Sequence, residues 1–315
     1  VLIGSETILG VVERTQAGYQ EMHRANIWGA VGNLSGGVVL LLGIHHFPTV
    51  PFLVITVLGV PTLSRLGNAV QLIFWHRPYL LKSPVRFSGR KAKELLGDGL
   101  SFTASQSVAP LLMREGAKLL ASHVGGPAAA GILTVLNSIS TFLGSFVVMI
   151  SAPLWPALMD AAARHDYAWF NAARRRLLLG VMLYAATAGL MVSIFGSWVI
   201  DRVLAGQVHI SQAILLAYAC GYILMIWAHL NYICLTGLGI LTAPAVIYVG
   251  EATVAMGLAW FGMNSLGISG LIWGQAAAML AISAWLFPLI LSQRMRAWKA
   301  DGIAPLAAVS VSPSA

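Results

Sequence analysis

Long apolar runs separated by short polar turns dominate the chain. Measured against the roughly 20 residues needed to cross a hydrocarbon core of about 30 Å, they predict eight complete membrane-spanning helices, near residues 26–46, 50–75, 98–121, 128–152, 177–200, 211–236, 240–261 and 264–291. Val1 to Val12 reads as the last part of an earlier span that runs into polar sequence at Glu13 and Arg14. The first residue is not Met, so the sequence is expected to be an amino-terminal truncation. The expected fold class is all-α, a polytopic membrane helix bundle.

Composition strengthens this reading. Of the 315 residues 58% are hydrophobic and 10% charged, against about 25% charged in an average soluble domain. A soluble globule of that make-up would expose too much apolar surface, whereas lipid solvates it directly. An ordinary soluble enzyme, a disordered chain and a nucleic-acid binder are excluded with it. The net charge of +8 gains meaning from its distribution. Of the 19 Lys and Arg, all but Arg65, Arg114, Lys118 and Arg202 fall on one side if the 76–97 loop is cytoplasmic. By the positive-inside rule this orients the bundle, with its carboxyl terminus in the cytoplasm. The basic loops are topology signals with some contact to anionic headgroups. Cys220 and Cys234 lie on one predicted helix about 21 Å apart, too far for a disulfide.

Gly and Pro, at 32 and 13 residues, recur inside the spans, as at Pro61, Pro110, Pro153, Pro156, Pro244 and Pro288. Such residues let helices bend and approach closely, in transporters and in membrane enzymes alike. Shifting the chain by 219 residues brings Gly18 onto Gly237, span 26–46 onto 245–265 and span 50–75 onto 269–294. This is an echo of hydropathy and turn position that fits a duplicated bundle. The domain reading is therefore residues 1–75 as the remainder of a first lobe, 76–97 as a basic inter-lobe loop, 98–291 as a second lobe and 292–315 as a disordered cytoplasmic tail.

Charged and polar groups inside spans are costly and mark cavities or partners. At 100° per residue, Thr103, Ser107, Arg114 and Lys118 fall within about 40° of one another on span 98–121. Stacked cations repel unless an anion lies opposite, so an anionic headgroup or a pyrophosphate is the expected partner of Arg114 and Lys118; snorkelling of Lys118 to the surface is the alternative. Glu115 is expected to pair with Lys118 or another base rather than to carry protons. Glu251 sits mid-span, where a carboxylate without a partner takes a proton rather than stay ionised; ion coupling and a neutral interhelical hydrogen bond are both open to it. Arg65, with Thr62, Ser64, Asn68 and Gln71, is expected to face the bundle, either bonding between helices or lining an aqueous cavity. Asn137 and Ser138 have the same two readings. The histidines show no metal-ligand spacing, and no nucleophile elbow, phosphate loop or carboxylate pair is present, so neither metal nor cofactor is expected.

Several short motifs lie along this span order: Arg14 to Gln20 (RTQAGYQ) after the first apolar run, Ala25 to Trp28 (ANIW), Gly99 to Phe102 (GLSF) opening a span, Pro153 to Leu158 (PLWPAL) before a basic stretch, and Gly267 to Gly270 (GISG) at the last turn. With the basic inter-lobe loop they resemble the polysaccharide-transporter family, the Wzx-type O-antigen and exopolysaccharide flippases of the MATE-like multidrug/oligosaccharidyl-lipid/polysaccharide exporter superfamily. The resemblance covers about residues 1–300. It implies two lobes of twelve to fourteen helices in all, this chain holding roughly the fourth to twelfth, in a bacterial cytoplasmic membrane. It implies no bond-making chemistry. The expected function is translocation of an undecaprenyl-pyrophosphate-linked oligosaccharide by alternating access through a cationic cavity bearing Arg114 and Lys118. The partners would be that lipid-linked substrate, membrane lipids and other polysaccharide-assembly membrane proteins. The alternatives are an ion-coupled multidrug or metabolite exporter of the same superfamily, and a polyprenyl-linked glycan polymerase or ligase. The short outer connections speak against the enzyme.

Overall fold

The computed structural model describes residues 2–19, 21–79, 88–203 and 210–301. All regular structure in these residues is helical. Six segments are long and apolar enough to cross a membrane, and two of them are far longer than one crossing requires. The 69 residues of Leu95–Ala163 would extend about 100 Å as a single helix. They break at Gly126, whose φ of 78° and ψ of 179° leave the helical region. Pro127 then opens the next helix at a position where its missing N–H is harmless. Thr242–Ala300 breaks likewise at Gly267, with φ 65°, and again at Ile282. The breaks at Gly126 and Gly267 fall between predicted spans, whereas the break at Ile282 falls inside the predicted span 264–291, and the six segments make the chain a multi-pass membrane protein.

The chain divides into two compact units, Val1–Ser88 and Gly89–Ala315. The first holds α1 (Leu2–Gly18), α2 (Met22–Gly43) and α3 (Val50–His76). Small residues let α2 and α3 approach. A Cβ on Gly36 would lie 2.6 Å from the Thr56 carbonyl oxygen, and one on Gly32 would lie 2.8 Å from Ser64 Cβ. Trp28 packs against Gly67 and donates from Nε1 to Gln71 Oε1 at 2.7 Å. α1 joins α3 through a buried reciprocal amide pair, Gln16 with Asn68, at 2.8 and 2.9 Å. Pro61 lies just beyond a π-helical turn at Ile55–Gly59. That wider turn relieves the clash of the proline ring with the preceding turn.

The second unit holds α4 (89–125), α5 (127–163), α6 (Tyr167–Val203), α7 (Gln212–Gly237), α8 (242–266), α9 (268–281) and α10 (Ser283–Asp301). α8 and α9 cross in backbone contact, because a Cβ on Gly262 or Gly270 would collide with the other's carbonyl oxygen. One apolar core joins Leu120, Leu133, Ile200, Leu215, Met263 and Leu271 near one end of the unit. A second joins Leu158, Phe170, Leu235, Phe287 and Trp298 near the other, and a third runs between α5, α6 and α7 through Val147, Val181 and Leu230. Outward-facing side chains stay apolar: Leu42, Leu179 and Phe261 are 72, 75 and 73% exposed, as a lipid-facing surface requires.

Two boundaries differ from the sequence reading. Residues 89–97, read there as loop because of their charges, are the first turns of α4. Helix α10 continues to Asp301 through the segment read as a disordered tail. Both stretches mix charged with apolar residues, and a helix end emerging from the membrane does the same. Residues 302–315 lie outside the described residues, as do 80–87 of the basic loop.

Candidate functional site

Within the second unit a cavity of about 620 Å³ opens between α4, α5, α7, α8 and α9. Its position among the three cores follows from interruptions in α4. Pro110 cannot donate a backbone hydrogen bond, and a π turn at Ala104–Val108 precedes it. A second π turn spans Leu112–Gly116, where the Ala117 N–H returns to the Arg114 carbonyl. Within this turn the Met113 carbonyl accepts a bond from Gln275 Nε2 of α9 at 2.8 Å, so a side chain from another helix reaches the backbone at the interruption.

The wall is largely apolar with a few placed polar groups, the usual make-up of a ligand pocket. Arg114, Asn137 and Glu251 all line it. The Ser140 and Tyr218 hydroxyls are bonded at 2.9 Å, and those of Ser105 and Tyr232 at 3.0 Å. Glu251 is 1% exposed, and its Oε2 accepts the Ser283 N–H at 3.0 Å. His229 contributes a buried Nε2 without a hydrogen-bond partner. Arg114 forms no ion pair among the described residues, so the wall carries an uncompensated guanidinium beside Gln106, Asn137 and Gln275.

The other residues singled out from the sequence fall elsewhere. Lys118 is bound to Glu115 at 2.9 and 3.1 Å and does not line the cavity. Thr103 and Ser107 are exposed outside its wall. The single polar face drawn at 100° per residue fails physically, because each π turn inserts a residue and rotates the remainder of the helix out of register. Arg65 belongs to the first unit, where its Nε lies 3.2 Å from Glu13 Oε1. Among the described residues no three His, Cys, Asp or Glu side chains gather as metal ligands would.

Sequence reasoning missed Tyr218, Tyr222, His229 and Gln275. Tyr218, Tyr222, Met225 and His229 recur at steps of four, three and four along α7, which is one helix face, and all four line the cavity. That spacing was the available signal.

Solved structures share this architecture. A structure described as MATE in the bent conformation superposes with a TM-score of 0.71 over 90% of this chain at 16% identity. The fold is a MATE fold. An outward-facing multidrug resistance MATE family transporter of the MOP superfamily gives 0.68 over 95% of the chain at 14% identity. An inward-facing one gives 0.64 over 89% at 17%. The chain spans 64% of the first of these structures, 78% of the second and 66% of the third. No protein-family model and no curated protein sequence matches the chain. At these identities the likeness is one of MATE architecture, and the chemistry of the cavity has to be argued from its own side chains.

Proposed function

We propose that the chain belongs to a membrane exporter that works by alternating access and moves a polyprenyl-pyrophosphate-linked oligosaccharide across the cytoplasmic membrane for O-antigen, capsule or exopolysaccharide assembly. The observation that carries this reading is Arg114, an exposed guanidinium in the cavity wall that forms no ion pair among the described residues and belongs to a segment apolar enough to cross a membrane. Such a charge is costly unless an anion joins it, and a guanidinium fork matches phosphate oxygens well. The neighbouring Asn137, Gln106 and Ser140 offer hydrogen bonds to sugar hydroxyls or to a second phosphate. MATE structures solved in outward-facing and inward-facing conformations support a two-state carrier. The basic ends of the helices support a cytoplasmic carboxyl terminus. Glu251, held at a helix break facing the same cavity, is the group through which a proton or cation would couple.

The second reading, an ion-coupled exporter of small cations, draws on Tyr218, Tyr222, Tyr248 and Glu251 in the same wall, since aromatic faces and a carboxylate attract cations. Arg114 opposes it by repulsion. To separate the two, the gene is deleted in its host and polyprenyl-pyrophosphate-linked repeat units on the cytoplasmic face are quantified. Accumulation that the wild-type gene relieves and Arg114→Ala does not is the expected result. Normal surface glycan without accumulation would remove the flippase reading and leave the cation exporter.

A further inference from the structure

A second, smaller pocket of about 250 Å³ lies at the other end of the same unit, where α6 begins and α7 and α10 end. Its polar wall includes Asn171, Arg174, Arg175, Asn231, Arg296 and Lys299, with Ser292 beside them. Four cations therefore share one concavity, and among the described residues no carboxylate lines it. Arg174 is the most enclosed of the four. Its Nη2 donates to Asn171 Oδ1 at 3.2 Å, while its Nε is buried without any hydrogen-bond partner. Two acids at the start of this region have other partners: Asp160 binds Arg164, and Asp166 Oδ1 accepts the Trp169 N–H at 2.9 Å. Arg175, Arg296 and Lys299 are exposed and hydrated, while Arg174 is partly buried with an orphaned N–H, and an anion entering the concavity would satisfy that donor and meet all four charges.

The surroundings narrow the chemistry. Leu291 and Met295 form an apolar flank. Tyr167, in the wall, meets the buried core residue Trp298 edge to face at 5.5 Å. The volume is several times the ~30 Å³ that one water occupies in the liquid, which is room for a phosphate group and its first substituents.

We propose that this pocket is a binding site for a phosphate-bearing anion, supplied either by an anionic phospholipid headgroup or by a free phosphorylated solute. The site is separate from the cavity of Arg114 and does not depend on what that cavity carries.

The full chain in nanodiscs of phosphatidylcholine, titrated with cardiolipin or phosphatidylglycerol and read by native mass spectrometry, tests the lipid source. Titration with inorganic phosphate, read by calorimetry, tests the solute source. The expected result is one retained anionic lipid per chain, with affinity falling about fivefold for each arginine removed, so about 25-fold in Arg174→Gln/Arg296→Gln. Arg202→Gln, remote from the pocket, is expected to change nothing, and Arg174→Lys/Arg296→Lys to keep most of the binding in a folded chain. Saturable phosphate binding lost in the double Gln variant, without lipid retention, would support the site with a solute as its ligand. Retention of anionic lipid unchanged in the double Gln variant, or no binding of lipid or phosphate, would overturn the proposal.

Discussion

The Glu251 carboxylate caps a broken helix. Ser283 N–H, at the first position of α10, donates to Glu251 Oε2 at 3.0 Å, across a break made by Ile282 with φ −113° and ψ −81°. In an unbroken helix that N–H would belong to the Met279 carbonyl. Here the Ser283 hydroxyl reaches Met279 instead, at 3.4 Å. A carboxylate facing a helix N-terminus is favoured by both the free N–H groups and the helix dipole. A half-helix start at membrane depth is where transporters of many folds place their ionic groups.

Removing that acceptor strands a buried donor, at a cost of about 1–3 kcal/mol. Glu251→Ala is therefore expected to lose about that much stability in detergent, while Glu251→Gln, which keeps a carbonyl acceptor, loses clearly less. Thermal unfolding of the two variants beside the wild type decides it. Equal losses would mean that the cap contributes nothing.

The same pair of variants separates structure from coupling. If Glu251 exchanges a proton or cation during transport, Glu251→Gln folds but transports slowly, with a rate independent of the pH or sodium gradient. Flux into inverted vesicles under imposed gradients is the measurement, and a gradient response like that of the wild type would exclude Glu251 as the coupling group.

Helix crossing in the second unit depends on Gly262 and Gly270, each of which would drive a Cβ into the other's carbonyl oxygen. Because the clash is with backbone, no side-chain rotation relieves it, and overpacking of this kind costs about 1–3 kcal/mol or more. Gly262→Val is expected to reduce the yield of monodisperse protein sharply, whereas Gly257→Ala, which meets open space, leaves it unchanged. Size-exclusion profiles of the two variants provide the comparison.

Span order was legible because lipid imposes a length on every apolar run. The shift by 219 residues carries α2, Met22–Gly43, onto 241–262, close to α8 at 242–266, and α3, Val50–His76, onto 269–295, which crosses the break between α9 and α10. Arg114, Asn137 and Glu251 stood out because polar groups in a span are rare. The face of α4 was not legible, since a π turn leaves the composition of a helix unchanged while rotating everything beyond it. Pro110 marked the strain without giving its remedy. The role of Gln275 was also hidden, because it answers a carbonyl 162 residues away at Met113.

At the turn between α1 and α2, Glu21 gathers two arginines. Arg77 Nη2 donates to Glu21 Oε1 at 2.7 Å, and Arg24 Nε lies 3.5 Å from Oε2. The Arg77 guanidinium also sits 4.4 Å above the Tyr19 ring, which ties the end of α3 to the turn. The hydrogen bond from Arg77 is the main cause that holds the Glu21 carboxyl below its ordinary value of 4.5. A carboxyl lowered in the folded state releases its proton more readily there than in the unfolded chain. The stability it contributes is thus complete above 4.5 and fades as pH falls through the lowered folded value. The wild type is expected to unfold at a higher temperature than Glu21→Gln at neutral pH, by a margin that is constant down to about pH 5 and closes in more acidic buffer. Melting curves of both proteins across that range are the test. A margin that persisted in strong acid would show that packing of the side chain, and not its charge, holds the turn.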